Sequence, residues 1–210
     1  MESTRLEAFS DGVFAIAITL LVLDLRVPPA GRLPQTGRLT SQLLHAWPGY
    51  FAYLVSFLTV GIMWMNHHSI FGHVTRVDRA LLGLNLLLLM AVAAVPFPTS
   101  LVAQHLHDSG GPAAAVTYGL VMIAMSAGFA GIWVYVVTHA RKLGASLPPE
   151  TLRRSLPGFT LGGAVYVAGT LVAAYGFPLV ALVIFGALAV YYLFEHLPSP
   201  DATAVASPGE

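Results

Sequence analysis

The chain has no cysteine, and that absence removes disulfides, thiolate metal sites and thiol chemistry from consideration. Charge is nearly as scarce. Only 10% of the 210 residues are Asp, Glu, Lys or Arg, against about 25% in a soluble domain, while 56% belong to the hydrophobic set. So little charge cannot cover so much apolar surface in water, and the composition reads as a polytopic membrane protein. Its ten basic and ten acidic residues cancel, which argues against a nucleic-acid partner. Enzyme signatures are missing as well: there is no H-E-x-x-H, no G-x-S-x-G and no P-loop. His107, Asp108 and Ser109 share a loop without forming a constellation. The sequence points away from an enzyme and asks for no cofactor.

What the chain does contain is a series of six apolar stretches, which predicts an all-α fold of six transmembrane helices. They cover residues 5–25, a second beginning near 41 or 48 and ending at 67, then 80–102, 112–139, 157–175 and 178–194. Pro112, Pro157 and Pro178 stand where the first turn of a helix tolerates proline, whereas Pro96 and Pro98 are expected to kink or break the third span near its far end. Residues 27–40 read as a Pro/Gly/Arg loop. Residues 198–210 read as a disordered tail, leaving 1–197 as one membrane unit. No internal repeat is visible. The N-terminal run has the length of a signal-peptide core, but Glu2, Glu7 and Asp11 and the lack of a cleavage site favour a retained first span.

The basic residues set an expected orientation. With the N-terminus inside, Arg5, Arg76, Arg79, Arg141, Lys142, Arg153 and Arg154 are cytoplasmic, and only Arg26, Arg32 and Arg38 are outside. Seven against three places both termini in the cytoplasm by the positive-inside rule.

The first span organises the rest. Its uncharged run, residues 12–23, is short of the roughly 18–20 residues a lone lipid-facing helix needs, so Arg5, Glu7, Ser10 and Asp11 must face protein or water. At about 100° per residue, Gly12, Ile16, Thr19, Leu20 and Leu23 fall within roughly 100° of arc, and Asp11 lies about 140° away from Ile16. Such a stripe is either a helix-packing seam or, repeated around an axis, a hydrophobic constriction. Ile16 to Leu23 would span about 10 Å of that axis as regular α-helix.

Arg5-x-x-x-Phe9-Ser10-Asp11-Gly12, at the head of the first membrane helix, resembles the signature of the TMEM175 family of potassium channels. The likeness continues through Ile16, Thr19, Leu20 and Leu23 and resumes at residues 64–68. The resemblance implies a homotetramer with four first helices around one central pore, since a single helix cannot enclose a pore and four related by rotation can. It implies that Ile16, Leu20 and Leu23 form the pore constriction, with Ile16 narrowest, and that Thr19 supplies a hydroxyl layer favouring potassium over sodium. Where other members carry serine before the constriction this chain has Ala15, so a modest preference for K+ is expected. The implied setting is the cell membrane of a prokaryote, the partners being lipid, K+ and further copies of the chain.

The remaining motif residues read as assembly elements. A carboxyl at membrane depth needs donors, and Trp64 and His67 stand at matching depth on the second span, so Asp11 is expected to bond one of them and fix the rotation of the first helix. The rival reading of Asp11 is a cation-attracting ring at the inner mouth. Arg5 shares the Ile16 face, where its charge would oppose cation entry, so either it pairs with an acid or the helix unwinds there. His67, His68 and His73 do not form a metal site, because adjacent histidines on a helix point about 100° apart. Two alternatives remain open: a proton or non-selective monovalent cation channel of the same architecture, and a transporter or scaffold in which the stripe only packs.

Overall fold

The computed structural model describes residues 3–25, 38–146 and 156–194, all helix and connecting turn apart from a single bridge residue at Arg76. The expected tail at 198–210 and most of the loop expected at 27–40 lie outside those residues. Helix α1 covers Ser3–Leu20 and tightens into a 3-10 turn over Leu21–Asp24. Then come α2 (Arg38–His45), α3 (Trp47–Phe71), α4 (Arg79–Ala94), α5 (Pro96–His105), α6 (Gly111–Thr138), the one-turn α7 (Ala140–Leu143), α8 (Leu156–Ala174) and α9 (Pro178–Phe194).

Among the described residues, four helical segments are long and apolar enough to cross a membrane: Ser3–Leu23, Trp47–Phe71, Arg79–His105 and Gly111–Thr138. The two C-terminal helices are apolar too but shorter in their described parts, Leu161–Ala174 and Pro178–Phe194. Several boundaries differ from the sequence reading, and the second span runs to Phe71 instead of ending at 67. Arg38, Leu39 and Thr40 belong to the short helix α2 rather than to a loop. The third span continues to His105 instead of stopping at 102. The first span does not remain α-helical to its end.

The break in the third span falls at Val95. Pro96 and Pro98 supply no amide N–H, so two carbonyls of the preceding turn lose their usual donors. Buried hydroxyls fill this corner. Thr99 Oγ1 donates to the Val95 carbonyl at 2.8 Å, so its oxygen accepts from Ser56, 2.7 Å away, and Ser56 in turn accepts from the Tyr118 hydroxyl at 3.0 Å. That directed chain ties α5 to α3 and α6.

Helix α6 is the axle of the bundle, with one face buried from Ala114 to Val136 and packed by α4, α5, α8 and α9. It meets α8 closely where Gly119 admits Thr170, since a Cβ at 119 would collide with the Thr170 hydroxyl and press on the Phe185 ring. At one end of the bundle the α3–α4 turn is stapled to α7. Asp78 caps α4 by accepting from the Leu81 amide at 3.0 Å, and also accepts from the Tyr135 hydroxyl at 2.7 Å and from Lys142. Helix α1 is at the edge, laid against α3 and α4.

Candidate functional site on the first helix

One face of α1 is inside the bundle and the other is covered by nothing among the described residues. Leu6, Ser10, Phe14, Ala17 and Leu21 are buried, at the i, i+4, i+7 spacing that points side chains one way. The opposite face presents Ile16 at 61% exposure, Leu20 at 42% and Leu23 at 72%, with Gly12, Ala15 and Thr19 exposed between them. This is the stripe read from the sequence. The 3-10 turn alters its geometry: side chains three apart eclipse there and the rise grows to about 2.0 Å per residue. Leu23 therefore stands over Leu20, and the stripe from Ile16 to Leu23 lengthens from about 10 Å to about 12 Å.

Thr19 Oγ1 donates to the Ile16 carbonyl at 2.9 Å, the local bond that membrane hydroxyls ordinarily make. Because the proton is spent inward, the exposed oxygen offers lone pairs alone. Phe9, 55% exposed, falls about 20° from Ile16 on the helical wheel. It shares the open face, a placement that reading it only as a motif residue had missed. Arg5 is exposed one turn further along. The α-helix runs unbroken through it, so the expected unwinding does not occur, and among the described residues Arg5 makes no ion pair.

The buried side of α1 is held by two polar links. Trp64 donates its indole N–H to Asp11 Oδ1 at 2.8 Å, while the Trp64 ring stacks on His68. His67, the other candidate donor, is engaged elsewhere. Its Nε2 lies 2.8 Å from Asn85 Oδ1, Asn85 Nδ2 donates to Ser10 Oγ at 3.0 Å, and Ser10 donates to the Leu6 carbonyl at 2.9 Å. This polarity requires the proton on Nε2 of His67. Its Nδ1 is left buried without a partner, between the rings of Phe14 and Phe71. Asn85 was not visible as a site residue from the sequence, although it is an isolated amide in the leucine-rich run of α4. Such a residue at membrane depth needs a partner.

Among the described residues no three His, Cys, Asp or Glu side chains gather as metal ligands. His67 bonds Asn85, His68 stacks on Trp64, and His73 reaches back to the Ser69 carbonyl.

Comparison with known proteins bears on this face. The family model "Endosomal/lysosomal potassium channel TMEM175" matches residues 5–96, which hold most of α1 and all of α2, α3 and α4. A protein named as a potassium channel from Streptomyces collinus is 46% identical over 206 residues, covering 98% of both chains. Another so named, from Chamaesiphon minutus, is 42% identical over 166 residues, 79% of this chain and 81% of that one. The crystal structure of a lysosomal potassium-selective channel TMEM175 homolog from Chamaesiphon minutus superposes with a TM-score of 0.80 at 36% identity, covering 91% of this chain and 96% of that one.

Proposed function

The chain belongs to the TMEM175 family, and from that membership we propose that four copies form a potassium channel whose central pore is lined by α1. The family is one of ion channels, not enzymes, and needs no cofactor. The observation that carries the pore reading is the uncovered face of α1: a protomer that buries Phe14 and Leu21 leaves Ile16, Leu20 and Leu23 open. An apolar face of this kind is satisfied by an axis shared with rotated copies. The residues at 1–197 act as one six-helix unit, with α8 and α9 as the fifth and sixth spans.

Around that axis Ile16, Leu20 and Leu23 make three apolar rings. Such rings offer an ion no ligands, so conduction depends on wetting and the closed state on its loss. Thr19 oxygens, with their protons turned to the Ile16 carbonyl, supply the one layer of acceptors able to replace part of a hydration shell. Ala15 adds no second layer. The preference for K+ over Na+ is therefore modest. Asp11 and Ser10 hold α1 at the rotation that presents this face, through Trp64 and Asn85. The distribution of basic residues favours cytoplasmic termini in a bacterial cell membrane.

The test is a potassium-gradient flux assay on purified protein in liposomes, repeated with sodium and with a proton-sensitive dye. Potassium flux exceeding sodium flux supports the reading. A dominant proton flux favours the proton-channel alternative, and no flux from verified tetramers rejects the pore.

A further inference from the structure

A cavity of about 30 Å³ lies among α3, α6, α8 and α9, apart from α1. Each of these helices contributes a polar group to its wall: Thr59 and Asn66 from α3, Ser126 from α6, Tyr166 from α8 and Tyr192 from α9. Ser126 carries the argument. It is 7% exposed, and among the described residues its hydroxyl has no hydrogen bond. Hydroxyls inside membrane helices ordinarily donate to a carbonyl one turn back, as Thr59 does to Val55, Thr117 to Ala113 and Thr170 to Tyr166. Ser126 does not. Asn66, half-buried on the rim, likewise has no hydrogen bond among the described residues. Bare amides and hydroxyls at membrane depth are strongly disfavoured, so a partner from outside the chain is required.

We propose that this cavity is a hydration site, holding about two water molecules that bond Ser126 and Asn66 and exchanging them for neutral hydrogen-bonding solutes of methanol size. The volume sets the class. A water needs about 10–15 Å³ of such space and two to four polar partners, so 30 Å³ admits two waters and excludes a lipid headgroup. The lining sets the polarity, since apolar cavities stay dry and this one has donors or acceptors on every wall. Access is short. Asn66 lies within about 8 Å of the end of α3, at 1.5 Å per residue.

The absence of cysteine makes the test clean. Ser126→Cys and Thr59→Cys are reconstituted in liposomes and treated with methyl methanethiosulfonate, with Ala124→Cys on the exposed side of α6 as the dry reference. The thiolate attacks the sulfenyl sulfur, forming a mixed disulfide and expelling methanesulfinate. A thiol in a dry apolar site stays protonated and inert, so both cavity positions should react at least about tenfold faster than the reference. Should Ser126→Cys fail to fold, Thr59→Cys decides by itself. Cavity positions that fold and react no faster than Ala124→Cys would overturn the proposal. The readout is independent of whether the chain conducts.

Discussion

Trp64 on α3 and Asp11 on α1 are joined by a single 2.8 Å hydrogen bond from the indole N–H to the carboxyl oxygen. Asp11 lies about 140° from Ile16 around the helix, so the bond that pulls Asp11 toward α3 turns Ile16 away from it. Trp64→Phe and Asp11→Ala each leave one polar group without its partner, a loss of about 1–3 kcal/mol. Each variant is expected to lower the detergent melting temperature and the tetramer fraction on size exclusion. The double variant should cost less than the sum, because the two share one interaction. A stable Asp11→Ala tetramer with altered conductance would favour the mouth-ring reading of Asp11.

Asn85 serves two partners at once, accepting from His67 and donating to Ser10, and it is wholly buried. Asn85→Ala removes both bonds and opens a small void, whereas Ser10→Ala removes one acceptor. The first should destabilise more than the second, with each lost bond contributing on the order of 1–3 kcal/mol. Melting curves of the two variants in one detergent give the order, and a reversed order would contradict the relay.

Asp78 lies outside the spans, and its carboxyl is held well below the usual carboxylate range by the Leu81 amide, by Lys142 and by the Tyr135 hydroxyl. A carboxyl depressed in the folded state stabilises the fold above its unfolded pKa and loses that contribution as pH falls toward its folded value. With an ordinary value of 3.8, the stability gap between the native chain and Asp78→Asn should be flat from pH 5 to 8. It should shrink only below about pH 4. A gap that closes between pH 5 and 7 would contradict this account of the staple.

Gly119 is where α6 and α8 touch, and Gly119→Ala would drive a methyl into Thr170 and Phe185. Both are buried, so relief requires the helices to separate. Overpacking of this kind costs about 1–3 kcal/mol. Gly12→Ala, where a Cβ meets nothing within 4 Å, should leave the melting temperature of the protomer nearly unchanged, which makes the pair an internal control.

The helical period of residues 12–20 exposed the stripe because α1 is regular over that stretch, with one face buried and the other open. Depth matching narrowed the donor for Asp11 to Trp64 or His67, since a carboxyl in an apolar span must find a donor, but choosing between them needed the fold, which gives His67 to Asn85. The 3-10 turn at Leu21–Asp24 was not legible. Leu-Val-Leu-Asp carries neither Gly nor Pro, and the turn packs against α3 and α5, contacts made across the fold. Helix α2 escaped for a related reason: it is eight residues long with alternating polar character, too short for periodicity to separate it from a loop. The Ser56–Thr99–Tyr118 chain joins residues 43 and 62 positions apart, and no local pattern announces it.

The central claim is that Ile16 closes a pore shared by four first helices. Potassium flux through native protein and through Ile16→Asn, reconstituted as verified tetramers and measured against both potassium and sodium gradients, tests it most directly. An amide ring wets the constriction, so the account predicts faster flux in the variant and a smaller difference between the two ions. Equal flux and equal discrimination in the two proteins would contradict it.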